Sequence, residues 1–158
     1  LKSSKTPSVL SLTRQNLEPI RKKYSNVNKC SLGAYEVFRT NKKIHLTIIA
    51  SGSEVNLAIE TSHKLAKEKV YSKVISMPCQ DLFDSQSRTY KQKILNETKM
   101  KISIEAASTD SWKKYVGNEG LTFGIDTFGK SAPYKEIYKY FGLTAANIAN
   151  KSKKLINR

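Results

Sequence analysis

The stretch Ile44-His-Leu-Thr-Ile-Ile-Ala50, followed at once by Ser51-Gly-Ser-Glu54, decides the fold. Its first seven residues are β-branched and almost continuously apolar, as a strand covered on both faces requires. The next four change character abruptly. Ser51 and Glu54 stand at capping-box spacing, and a helix carrying Val55, Leu57, Ala58, Ile59 and Leu65, at spacings that mix helical faces, runs to about Lys69. A buried strand entering a helix through a tight polar turn is half of a parallel strand–helix–strand unit.

Downstream the same alternation repeats. Strands are expected at 73–77, closed by Pro78, at 101–106 and at 121–125. Between them, Leu82, Phe83, Tyr90, Ile94 and Leu95 read as one or two helices, and 111–116 as a short helix with the lone tryptophan. Pro133 suits the first turn of a helix that ends before Gly142, and Thr144 suits the cap of a last one carrying Ala146, Ile148, Ala149 and Ile156. Upstream, 35–39 reads as a short strand joined to 44–50 through Asn41-Lys42-Lys43. The expected fold is α/β: a three-layer, open, mostly parallel sheet with helices on both faces, and a hairpin-like first pair that makes one edge antiparallel.

Residues 1–7 are polar and end in Pro7, 9–13 reads as a strand, and the charged stretch around Pro19 to Asn28 reads as a connection. The chain opens Leu1-Lys2-Ser3 rather than with methionine, which points to a segment trimmed or cut from a longer polypeptide.

Composition narrows the function. With 158 residues, 39% apolar and 26% charged, the chain is long enough to bury a core and is not of disordered type. No run reaches the roughly eighteen apolar residues needed to cross a bilayer, and no signal peptide precedes the first strand. A soluble, cytoplasmic protein is expected. The net charge of +15 raises nucleic-acid binding. Against it, only five of the 28 basic residues are arginine, the lysines are spread along the chain, and no recognised nucleic-acid motif accompanies them. A solvated lysine surface is the expected reading, with Lys22-Lys23, Lys113-Lys114 and Lys151 to Lys154 as its densest groups.

Candidate chemistry is sparse. Cys30, Cys79, His45 and His63 lack metal-ligand spacing and are expected as free thiols and structural imidazoles. Ser51-Gly52-Ser53 has neither the lysine of a P-loop nor the three glycines of a dinucleotide turn, so a helix cap is favoured over a phosphate site. Glu105, with Asp110 nearby, is expected in a salt bridge or cap rather than a catalytic pair. Trp112, Tyr115 and Phe128 are expected to pack together. Arg14, at the mouth of the strand 9–13, either caps carbonyls or awaits an anion.

Eight short motifs occur in a specific order. They are Thr13-Arg-Gln-Asn-Leu17, Gly33-Ala-Tyr35, Ala50-Ser-Gly-Ser-Glu-Val55, Val74-Ile-Ser-Met-Pro78, Phe83-Asp-x-Gln86, Glu105-Ala106, Trp112-x-x-Tyr115 and Phe128-Gly-x-Ser-Ala-Pro133. Together they resemble the C-terminal part of transketolase, from about Val9 to the end. The resemblance implies that 1–18 hold the terminal strand of a preceding pyrimidine-binding domain, 19–33 a linker, and 34–158 the family's C-terminal α/β domain.

It further implies two-carbon ketol transfer between sugar phosphates in the pentose phosphate pathway, by a homodimer using thiamine diphosphate and a divalent metal, with Mg²⁺ expected. Arg14 matches the arginine of the family's Ser-Arg-Gln motif that binds the substrate's phosphate, with Thr13 in place of serine. The guanidinium fork suits that ligand, since it offers two parallel hydrogen bonds and stays charged. The family's Gly-Asp-Gly motif does not occur in the chain, and neither histidine matches its proton-relay residues. No cofactor, metal or catalytic residue is therefore expected within the chain, which should depend on the remaining transketolase domains and be inactive alone. An interaction or regulatory module of a split thiamine enzyme is the alternative.

Overall fold

The computed structural model describes residues 5–21 and 23–156. The first four residues of the polar lead, Lys22 of the Lys22-Lys23 pair, and the last two residues of the terminal domain lie outside them. In chain order the elements are β1 (Tyr35–Arg39), β2 (Leu46–Ala50), α1 (Glu54–Lys67), β3 (Ser72–Ser76), α2 (Gln80–Asp84), α3 (Arg88–Leu95), β4 (Lys101–Ile104), α4 (Lys113–Val116), β5 (Leu121–Phe123), α5 (Tyr134–Tyr140) and α6 (Ala145–Ile156).

The five strands form one sheet in the order β1-β3-β2-β4-β5. Strands β3, β2, β4 and β5 run parallel, and β1 closes the sheet as an antiparallel edge. The antiparallel edge was expected, but its partner differs. β1 pairs with β3, Tyr35 opposite Ser76 and Arg39 opposite Lys73, rather than in a hairpin with β2. The physical reason is the apolar content of β2: its five residues are all buried, which demands a strand on each side from the parallel set.

Pleating sends neighbouring residues to opposite faces. Ile48 and Val74 point to a core built with Val55, Ala58 and Leu65 of α1 and Ile148, Ala149 and Leu155 of α6. Ile49 and Ile75 point to a second core with Phe83, Leu95, Trp112, Tyr115 and Val116. Helices thus cover both faces, giving the three layers. Thr144 caps α6, its Oγ1 accepting from the Asn147 N–H at 3.3 Å.

One local turn sets the sheet's entry. Gly33 has φ +77°, and a Cβ there would stand 2.1 Å from the Phe83 backbone nitrogen, so only glycine lets the chain pass α2 on its way to the fully buried Ala34. The expected strand 9–13, by contrast, is irregular. Val9, Leu10 and Leu12 are exposed there. The reason is that nothing in the described chain offers this segment a ladder of hydrogen bonds, and a single strand has none of its own.

Candidate functional site

Arg14 lies in this extended N-terminal segment and is exposed. The chain turns there: the Thr13 hydroxyl accepts from the Gln15 N–H at 3.2 Å, a local bond that serine or threonine makes readily. Past the turn the segment is seated on the domain. Gln15 is half-buried, facing the groove beside Tyr138 of α5. Asn56 of α1 donates to the Glu18 carbonyl at 3.3 Å, and Ile20 packs on the α1–α6 core. Gln15 and Leu17 line an open groove with Ser53, Asn56, Tyr134 and Tyr138. Arg14 is therefore exposed, next to a residue that lines the groove.

Beneath that seat lie two carboxyl groups. Glu54, the first residue of α1, is 3% exposed. It accepts from Ser53 Oγ at 2.8 Å and from the Tyr138 hydroxyl in a short bond. Glu105, just after β4, accepts from Ser51 Oγ at 2.5 Å. Burial, then the charge of Glu54, push the Glu105 carboxyl up to about 7 against the pull of the Ser51 bond. Burial and the bond to Glu54 likewise raise the Tyr138 hydroxyl to about 12.

Several expectations are corrected by this geometry. Ser51 and Glu54 make no capping box: neither serine side chain caps α1, because Ser51 turns to Glu105 and Ser53 to Glu54. Glu105 makes no salt bridge among the described residues and does not pair with Asp110, whose carboxylate holds Lys113 at the surface. Phe128 is 98% exposed and stands apart from Trp112 and Tyr115. The packed aromatic set is Phe83, Tyr90, Trp112 and Tyr115, with Phe83 and Tyr115 5.9 Å apart between centroids.

The remaining polar candidates have structural surroundings. His45 Nδ1 accepts from the Tyr71 N–H at 2.9 Å, and His63 packs on Phe38 with ring centroids 4.7 Å apart. Cys30 and Cys79 are free thiols. Among the described residues no three His, Cys, Asp or Glu side chains converge on a common point.

Comparison with known proteins decides the family. The profile of the transketolase-like TK C-terminal domain matches residues 33–144. The chain belongs to the transketolase family. The transketolase of Buchnera aphidicola is 38% identical over 147 residues, covering 92% of this chain and 22% of that protein. Among solved structures, transketolase from Leishmania mexicana superposes with a TM-score of 0.76 at 37% identity, over 85% of this chain and 19% of that one. Transketolase from Pichia stipitis, solved with sedoheptulose-7-phosphate, superposes with a TM-score of 0.74 at 33% identity, over 84% and 19%. The transketolase-family chain described here thus spans about a fifth of the length of these relatives.

Proposed function

We propose that this chain is the C-terminal segment of a thiamine diphosphate-dependent transketolase, and that Arg14 binds the phosphate of the sugar substrate. The observation that carries the reading is the family match over 33–144 together with relatives that align with 92% of the chain. That match implies two-carbon ketol transfer in the pentose phosphate pathway, in the cytoplasm, by a homodimer. A Pichia stipitis transketolase solved with a phosphorylated seven-carbon sugar supports phosphorylated sugars as the substrate class.

On this reading residues 1–18 complete the sheet of a preceding pyrimidine-binding domain, 19–33 link the two domains, and 34–158 form the C-terminal domain. The exposure of Val9, Leu10 and Leu12 is in keeping with a strand whose sheet belongs to another domain. The cofactor and its metal, Mg²⁺ on this reading, are held by the remaining domains and supply the carrier of the ketol unit. This segment alone is inactive. Its part in the chemistry is to present Arg14: an exposed guanidinium, with the next residue lining the groove beside α5, offers two parallel N–H donors to a phosphate dianion.

The test is Arg14→Ala in the complete enzyme. Loss of a hydrogen bond to a charged group costs about 1.5–3 kcal/mol, which raises KM for phosphorylated sugars about 10- to 100-fold. KM for an unphosphorylated ketol donor should stay within about twofold, since that donor never used the contact. Equal losses on both donors, or no loss on either, would remove the assigned role.

A further inference from the structure

Lysines far apart in the sequence are gathered by the fold at the edge of the sheet where the parallel strands begin. β1 runs antiparallel to β3, so the 40–45 connection lies beside the start of β3. There the Thr40 N–H donates to the Ser72 carbonyl at 3.0 Å and the His45 N–H to the Tyr71 carbonyl at 2.8 Å. The Tyr71 N–H returns a bond to His45 Nδ1 at 2.9 Å. These bonds set Lys42 and Lys43 beside the turn that leaves α1, which carries Lys67 and Lys69.

α6 runs alongside α1 in the same direction. Near their starts, Ala145 and Ala146 line one groove with Ser53 and Asn56, and at their far ends Lys153 bonds Glu68. The end of α6 therefore adds Lys151 and Lys154 to the same edge. All six lysines are exposed, and none makes an ion pair among the described residues. Most carboxylates at this edge are already engaged. Glu68 is held by Lys153 and Glu97 by Arg39 and Lys73, while Glu60 lies 4.0 Å from Lys64. Glu119, just before β5, is the exception.

We propose that this edge binds the phosphodiester backbone of duplex nucleic acid without reading its sequence. The inference is independent of the role given to Arg14, whose neighbour Gln15 lies with Ser53 at the other end of α1. That helix has 14 residues, so the two places stand about 20 Å apart. Ammonium groups are point charges that suit phosphates, whereas base edges are read by forked donors, and Arg39 at this edge is taken up by Glu36 and Glu97. No exposed large apolar side chain falls within 40–71 or 145–156. The edge thus offers no exposed Phe, Tyr or Trp ring for single-strand bases to stack on, and no apolar wedge for a bilayer. An acidic protein surface would need carboxylates matched to these six positions. A duplex presents dense charge in every register and needs no such match.

Six lysine–phosphate contacts give a slope of about 5 for log Kd against log salt concentration, and a loss of about 1,000-fold in affinity between about 50 and 200 mM salt. The experiment uses the complete enzyme and the fluorescence anisotropy of labelled mixed-sequence duplexes, one of DNA and one of RNA. A slope near 5 on either supports the proposal, and the tighter of the two identifies the source of the backbone. Lys43→Gln with Lys67→Gln, and Lys151→Gln with Lys154→Gln, should each lower the slope by about 2 while ketol transfer is unchanged. Lys113 lines a groove with Asp126 and Thr127 beyond the end of β5, and Lys130 lies in the loop that follows, at the opposite edge. Lys113→Gln with Lys130→Gln removes the same charge there and should leave the slope as it was. Equal losses from this control and the edge pairs would show that net charge alone acts, and would overturn the proposal. So would a slope below about 2 on both duplexes, or tighter binding to polyglutamate or to phosphatidylserine vesicles than to either duplex.

Discussion

Removing the carboxylate of Glu97 gives a sharp test of how the antiparallel edge is held. Lys73 sits within β3 with its side chain 1% exposed, and its ammonium meets Glu97 Oε2 at 3.0 Å. The same carboxylate takes both arms of Arg39 from β1, at 2.6 and 2.7 Å. Among the described residues Lys73 has no other ion-pair partner. In Glu97→Ala the ammonium is left buried and alone, a loss of about 3–5 kcal/mol when a pair is fully enclosed.

Glu97 is itself 36% exposed, so solvent screens part of this, and we expect about 2 kcal/mol at pH 7. The titration agrees. The Arg39 hydrogen bond, and then the Lys73 bond, hold the Glu97 carboxyl down at about 2 from an ordinary 4.5. At ~1.36 kcal/mol per unit of pKa this drop corresponds to about 3.4 kcal/mol unscreened, and about half that after screening. A carboxyl lowered in the folded state contributes stability that is full above about 4.5 and lost as pH falls through about 2.

Urea denaturation of the chain, followed by far-ultraviolet circular dichroism, should show the gap between unaltered protein and Glu97→Ala narrowing from pH 6 to pH 2.5. Lys73→Met, which keeps the volume and leaves Arg39 on Glu97, should cost less than about 1 kcal/mol. A Glu97→Ala cost below 1 kcal/mol at pH 7, or a gap constant with pH, would show that the ammonium reaches water and would refute the argument.

Two further substitutions report on the frame around the site. Gly33→Ala should cost several kcal/mol, or prevent folding, because the new Cβ meets the Phe83 backbone at 2.1 Å in a left-handed conformation; thermal melts beside a Gly129→Ala control, where a Cβ meets nothing within 4 Å, separate position from residue type. Thr144→Ala should cost about 1 kcal/mol through the lost cap of α6, with Thr144→Ser restoring most of it in the same urea titration.

The fold was readable where local pattern and packing agree. The run from Ile44 to Ala50 is apolar because both faces of β2 are covered, and each of the later strands and helices follows from the same two periods. The pairing of β1 was not readable, since adjacency along the chain favours a hairpin while the burial of β2 demands parallel neighbours. The segment 9–13 has strand-like residues and no strand, because a β-pattern states what a segment suits and not whether a partner is present. Arg14 was singled out through the motif around it; its isolated chemistry left two readings open.

The bond between Ser51 and Glu105 was missed outright. A capping spacing at Ser51 and Glu54 is met equally well by a serine that turns to a neighbouring strand end, and 54 positions separate Ser51 from Glu105 in the chain. One signal was present. Both residues follow buried parallel strands, and setting β2 beside β4 would have placed Ser51 and Glu105 at the same edge. Phe128 shows the converse error: its motif neighbours suggested aromatic packing, but a loop flanked by Gly124 and Gly129 carries it into solvent.

The central claim is that this chain works as the last part of a complete transketolase. The most direct test is immunocapture from source cells with an antibody against residues 54–67, read as denatured size and as thiamine diphosphate-dependent ketol transfer. The account predicts a captured polypeptide several times larger than 17.8 kDa, with the activity in the same fraction. Capture of a 17.8 kDa polypeptide by itself, with no ketol transfer, would contradict it.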